Sequence, residues 1–124
     1  MKKTIAIDFD GVIHAYSKKW HDGSIYDLPI PGTAIALKVI QNMGYEVAIF
    51  STRCYDRVVN GVKQLNQVEQ MKFWLELHKI PYDRIHTADG KPLCVLFIDD
   101  NAYRFQGKWS TAVMDISQIL EPAK

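Results

Sequence analysis

Apolar residues along the chain fall into short runs and longer stripes that alternate. Ile5, Ala6 and Ile7 form a run that Asp8 and Asp10 interrupt and Gly11 ends in a turn; it reads as a buried strand. Residues 12–30 show no helical period but carry His14, Tyr16, Trp20, His21 and Tyr26, with Asp22-Gly23 as an expected hairpin turn and Pro29 and Pro31 at the close. So long a loop in a small chain reads as a flap, and its aromatic content argues against disorder. A helix is expected from Pro31 to Met43, with Ala36, Leu37, Ile40 and Met43 as its apolar stripe and Gly44 as its stop. Tyr45 to Phe50 reads as a second buried strand, ending in Ser51-Thr52-Arg53.

The second helical period runs through Val62, Leu65, Val68, Met71 and Leu75 and ends before Pro81. Phe73 and Trp74, on that helix, are expected in the core. Further strands are expected at Arg84 to Thr87, Leu93 to Ile98 and Trp109 to Met114, with a turn or short helix over Asn101 to Phe105. Asp115 is placed to cap a last helix from Ile116 to Leu120, with Gln118 in the capping-box position. This alternation predicts an α/β fold, a mostly parallel sheet with helices on its faces. The chemically capable residues all follow buried strands: Asp8 and Asp10 the first, Ser51 to Arg53 the second, Asp99 and Asp100 the fourth. A parallel sheet gathers such ends at one edge, where open α/β sheets hold ligands.

The length of 124 residues suits one domain spanning 1–124, and 48% hydrophobic residues suffice for a core. Fifteen basic and 14 acidic residues balance to +1, so no basic face points to nucleic acid. The start, Met1 to Ile7, briefly imitates a leader, but Asp8 and Asp10 break it, and no run approaches a membrane span. Cys54 and Cys94 match no metal or redox spacing. A soluble, cytoplasmic setting is expected.

Two carboxylates two residues apart on a strand lean to one side. They do not both ionise comfortably without a cation or a shared proton. Such an edge suits phosphoryl transfer, in which a carboxylate attacks phosphorus and forms an aspartyl phosphate. Mg²⁺ fits the oxygen-rich donor set. Ser51, the amides around Phe9, Asp10 and Thr52, and Lys91 are candidates for the phosphoryl oxygens, and Asp10 for the acid and base. Arg53 is a second candidate cation, its alternative role a surface ion pair.

Taken in order, these residues resemble the haloacid dehalogenase (HAD) superfamily. Asp8-Phe9-Asp10-Gly11 resembles its first motif, Ser51 its second, Lys91 its third and Asp99-Asp100 its acidic fourth. The resemblance implies a Rossmann-like three-layer sandwich with a five-stranded sheet in the order five-four-one-two-three and no cap domain. It also implies Mg²⁺ held by the Asp8 carboxylate, the Asp10 backbone carbonyl and Asp99, with Asp100 binding through water or orienting its neighbour. An acid at position 10 resembles the phosphatase branch. A site without a lid admits a phosphorylated small molecule or a nucleic-acid end. Ile98 to Ala102 and Phe105-Gln106-Gly107 are similar to short capless phage and bacterial members. A crossover as short as that around Lys91 has no room for the helix that usually carries this lysine.

Rival readings are a receiver-type signalling domain with a phospho-Asp, and a binding module that holds a metal without turnover. The receiver has its acid pair on the first strand, whereas here the pair comes late. His14 and His21 are candidates for substrate contact, with exposed loop histidines as the plainer expectation, and Tyr103 and Arg104 border the pocket or are merely solvated.

Overall fold

The structure is a computed structural model and describes residues 2–121. The first apolar run forms strand β1 (Thr4–Asp8), with Ile5, Ala6 and Ile7 buried. Beside it lies β2 (Glu46–Phe50), in parallel register from Thr4 opposite Glu46 to Asp8 opposite Phe50. Val47, Ala48 and Ile49 are fully buried. The unbroken apolar character of both strands follows from their central place in a parallel sheet. Helix α1 (Thr33–Asn42) connects them and turns Leu37 inward.

After β2, a single 3₁₀ turn (Thr52–Cys54) leads into an antiparallel hairpin of β3 (Arg57–Val59) and β4 (Val62–Gln64). Asn60 and Gly61 form its two-residue turn, both left-handed at φ 52° and 77°. Asn-Gly between β-branched residues is the strongest short-range hairpin signal. It overrides the helical period read from Val62, so helix α2 begins only at Val68 (Val68–Leu77). Met71, Trp74 and Leu75 carry its buried stripe. Phe73, expected in the core, is 69% exposed, because its position points off that stripe.

Strand β5 (Arg84–Ile85) pairs with β2, and β6 (Leu96–Ile98) pairs with β1. The sheet is therefore four-stranded and parallel, in the order β5-β2-β1-β6. Four strands of the expected order are present, and the fifth is not. The segment assigned to it, Trp109 to Met114, belongs to helix α3 (Trp109–Ile119), which also absorbs the short helix expected at Ile116. Trp109, Ala112, Val113 and Ile116 recur at helical spacing, and that period wins over the β-branched content of the segment. Asp115 is mid-helix rather than a cap, and its carboxylate accepts a hydrogen bond from the Tyr103 hydroxyl at 2.6 Å. With β6 at the edge, Leu96 and Phe97 are half-exposed rather than buried. Residues 101–105 are irregular.

Residues 12–30 form a flap zipped at its base. Ala15 N–H donates to Leu28 O, and Ile30 N–H to Ile13 O, at 3.0 and 2.9 Å. Between those bonds the chain runs through successive turns rather than the hairpin expected at Asp22-Gly23. Trp74 Nε1 donates to Asp27 O at 3.0 Å and ties the flap to α2. Cys54 and Cys94 are both free thiols. No helix among the described residues is long and apolar enough to cross a membrane.

Candidate functional site

Alternation along the end of β1 separates three neighbouring residues. Phe9 points inward, fully buried, with its ring 5.2 Å from Trp74 and 5.5 Å from His14. Asp8 and Asp10 both line a cavity of about 570 Å³ at the carboxyl edge of the sheet. Ser51 and Thr52, just past β2, line the same cavity, as do Asp99, Asp100 and Asn101, just past β6. Three strands in parallel thus bring residues more than forty positions apart to one rim.

Asp8, Asp99 and Asp100 each offer a carboxylate oxygen, all within 4.8 Å of one another. Gly11 permits this approach. It sits at φ 82°, and a Cβ there would collide with the Asp100 carboxylate. Gly11→Ala is therefore expected to push Asp100 aside and weaken any divalent-cation affinity of the three acids by roughly tenfold or more. Isothermal titration with Mg²⁺ checks this, and unchanged affinity would remove Asp100 from the metal set.

Burial, reinforced by the charges of Asp99, Asp10 and Asp100, pushes the Asp8 carboxyl up to about 7, against a bond at 2.8 Å from Phe9 N–H. A hard divalent cation relieves such crowding, and an all-oxygen donor set suits Mg²⁺. The raised value also sets a pH dependence. Without metal, folded Asp8 keeps its proton up to about pH 7, while the unfolded chain loses it near 3.8. Between those values the folded state holds more protons, so this contribution to stability falls as pH rises. The Tm of Asp8→Asn relative to the parent, measured with a chelator present, should rise between about pH 4 and about pH 7 and level off above. A difference that does not change with pH would mean that burial does not raise the Asp8 carboxyl.

Asp10 is held differently. Its Oδ2 accepts from Arg53 Nε, and its Oδ1 is bonded to His14 Nδ1, both at 2.8 Å. His14 Nε2 accepts from Asp27 N–H at 3.0 Å, which leaves the ring proton on Nδ1 when the imidazole is neutral. Burial alone raises the Asp10 carboxyl, but the bonds from His14 and Arg53 outweigh it and hold the group below the usual carboxylate range. Arg53 and His14 are both fully buried, contrary to the surface ion pair and the exposed loop histidine that were the alternatives for them. Arg53 Nη1 also donates to Gly23 O and Gln67 Oε1, at 2.7 and 2.8 Å, and the guanidinium lies 5.3 Å from the Trp20 ring. One arginine thus ties the flap, α2 and Asp10 together.

Ser51 is buried, and its Oγ accepts from Arg53 N–H at 3.1 Å, so its own proton is left to donate. Thr52 Oγ1 is bonded to Arg57, whose guanidinium stacks 4.5 Å above the Trp20 ring. Arg57 escaped the sequence reading because the hairpin that carries it did. The Asn60-Gly61 turn was the available signal. Lys91 lies in a neighbouring cavity of about 420 Å³, shared with Tyr55, His86 and Asp89 and joined to the first through Phe50, Ser51 and Thr52. Its Nζ is 5.6 Å from the centre of the Phe97 ring. Neither Tyr103 nor Arg104 lines the acid cavity.

The fold and the site define an α/β protein with a carboxylate-rich, candidate metal-binding cavity at the carboxyl edge of a parallel sheet. No protein-family model matches the chain, and no curated protein matches it. Among solved structures, a chain of a Pnkp1/Rnl/Hen1 complex matches at 22% identity and a TM-score of 0.49, over 86% of this chain and 31% of that one. This chain thus spans about a third of that neighbour's length. At that score the likeness says nothing about activity.

Proposed function

We propose that the chain is a Mg²⁺-dependent phosphohydrolase that cleaves phosphomonoesters through an aspartyl phosphate on Asp8, as the HAD-like order of its motifs implies. The observation that carries this reading is the convergence of Asp8, Asp99 and Asp100 within 4.8 Å at a rim that Ser51 also lines. Asp8 and Asp99, with Asp100 beside them, would hold the metal, along with the Asp10 backbone carbonyl. Bound there, Mg²⁺ offsets the negative charge of the carboxylates and the entering phosphoryl group.

In the first half-reaction an Asp8 carboxylate oxygen attacks phosphorus. The bond from phosphorus to the ester oxygen breaks, and its electron pair leaves with that oxygen. The Ser51 hydroxyl donates a hydrogen bond to a phosphoryl oxygen, the Thr52 amide and Lys91 are further contacts, and Arg53 acts by fixing Asp10. In the second half, Asp10 takes a proton from water, water oxygen bonds to phosphorus, and Asp8 and orthophosphate are released. Arg53 and His14 on its two oxygens keep Asp10 ionised and so able to take that proton, while lowering its strength as a base. The same clamp disfavours it as an acid, so esters of acidic alcohols, which leave without a proton, suit this site best.

The test is hydrolysis of p-nitrophenyl phosphate with and without chelator. Activity should vanish with chelator and return with Mg²⁺. Asp99→Asn should raise the Mg²⁺ concentration for half-activity by roughly tenfold or more. Turnover indifferent to chelation would sink the reading. The substrate class is a phosphorylated small molecule or a nucleic-acid end, to be separated by a panel of phosphorylated metabolites and 3′- and 5′-phosphorylated oligonucleotides.

A further inference from the structure

The acid cavity is lined by four carboxylates, Asp8, Asp10, Asp99 and Asp100, and Lys19 is the one cation among its described lining residues. Lys19 comes from the flap, and its backbone is held there. It adopts a left-handed conformation at φ 57°, which is uncommon for a residue with a Cβ. Its N–H donates to Tyr16 O at 3.0 Å, and its carbonyl accepts from the Tyr26 hydroxyl at 2.8 Å. The same Tyr26 oxygen accepts from Lys18 N–H at 2.7 Å, so both ends of the Lys18–Lys19 unit are clamped by one side chain. Lys18 points elsewhere, its Nζ 5.9 Å from the Tyr26 ring centre.

A phosphoryl group that enters this cavity meets carboxylates on the sheet side, and a metal there offsets only part of their charge. Lys91 lies in the neighbouring cavity, so within this one the remaining positive charge comes from the flap side, on Lys19. We propose that Lys19 is the flap's phosphate contact: its ammonium bonds a non-bridging oxygen of the phosphoryl group held in the acid cavity. The assignment rests on the phosphohydrolase reading and adds a residue that the motif pattern does not contain. Lysine serves here as a point charge with three donors, on a stem long enough to follow the flap. The flap thereby becomes part of the binding site, and Tyr26, by fixing the Lys19 carbonyl, a positioning residue for it.

Titration of the full chain with inorganic phosphate in the presence of Mg²⁺, followed by calorimetry, tests the proposal. Lys19→Ala should weaken phosphate binding by roughly 10- to 100-fold, the loss of one charge-assisted hydrogen bond. Lys19→Arg should keep most of the affinity, and Lys18→Ala, which removes the same charge from the same flap, should keep all of it. With p-nitrophenyl phosphate, Lys19→Ala should show its loss in KM more than in kcat. Equal phosphate affinity in Lys19→Ala and the parent overturns the assignment, as does an equal loss in Lys18→Ala. In either case the phosphohydrolase reading survives. A parent chain that binds no phosphate with Mg²⁺ present overturns both.

Discussion

Asp8→Asn is expected to abolish Mg²⁺-dependent hydrolysis of p-nitrophenyl phosphate, a loss of at least about 10³-fold in kcat. The neutral amide lacks the charged oxygen that attacks phosphorus, and no other acid replaces it. Asp10 has both oxygens engaged by Arg53 and His14, and Asp99 accepts from Asn101 N–H at 3.1 Å. The variant should still fold. With a chelator present it should even be the more stable protein near neutral pH, since the raised Asp8 carboxyl costs the folded state there. Lost activity with retained or higher Tm would identify Asp8 as chemical rather than structural. Full activity in the variant would end the nucleophile assignment.

Arg53→Ala should have the largest effect on stability. Ion pairs differ greatly with burial. Arg84 and Glu46 are 2.7 Å apart, but their side chains are 40% and 31% exposed, so that pair contributes about 1 kcal/mol at most. The Arg53 side chain is 0% exposed and its Asp10 partner 17%. Truncation leaves the Asp10 carboxylate, Gly23 O and Gln67 Oε1 short of a donor, a cost of about 3 kcal/mol or more. The Tm should fall by on the order of 10 °C. Activity at temperatures where the variant is folded should fall as well, because Asp10 loses its anchor and the flap loses its tie at Gly23. Arg53→Lys restores the charge but not the fork, and should recover only part of either loss. A thermal melt of both variants checks the point. An unchanged Tm in Arg53→Ala would mean that the buried guanidinium holds nothing together.

What the chain disclosed about itself was uneven, for physical reasons. The strand ends were legible because an apolar run followed at once by polar residues has one economical explanation in a parallel sheet. Ile5 to Ile7 before Asp8, and Val47 to Ile49 before Ser51, are of this kind, and both runs are buried. The run before Asp99 was legible as a strand but not as an edge, since apolar content does not report what covers it. Phe97 and Leu96 are half-exposed for that reason. The fifth strand was misread because Thr111 and Val113 favour strands locally, while helical spacing from Trp109 to Ile116 prevails. The β3–β4 hairpin was missed through a competing period, although Asn60-Gly61 announced it.

Burial of polar groups was the least legible feature. His14 and Arg53 lie in segments with no periodicity, and nothing in their neighbours' chemistry signals that both turn inward to one carboxylate. Their positions depend on the flap folding back over Trp74 and Gln67, a contact between residues more than forty positions apart. Trp74 and Phe73 were both expected in the core from their place in a helix, and of the two only Trp74 is buried.

The most direct measurement is the site of covalent phosphorylation during turnover. The chain is mixed with p-nitrophenyl phosphate and Mg²⁺, quenched, and treated with borohydride, which reduces an aspartyl phosphate to homoserine. Peptide mass spectrometry should then find homoserine at position 8 and nowhere else, and none when Mg²⁺ is withheld. Turnover without homoserine at position 8, or with it at Asp10 or Asp99 instead, would contradict the account.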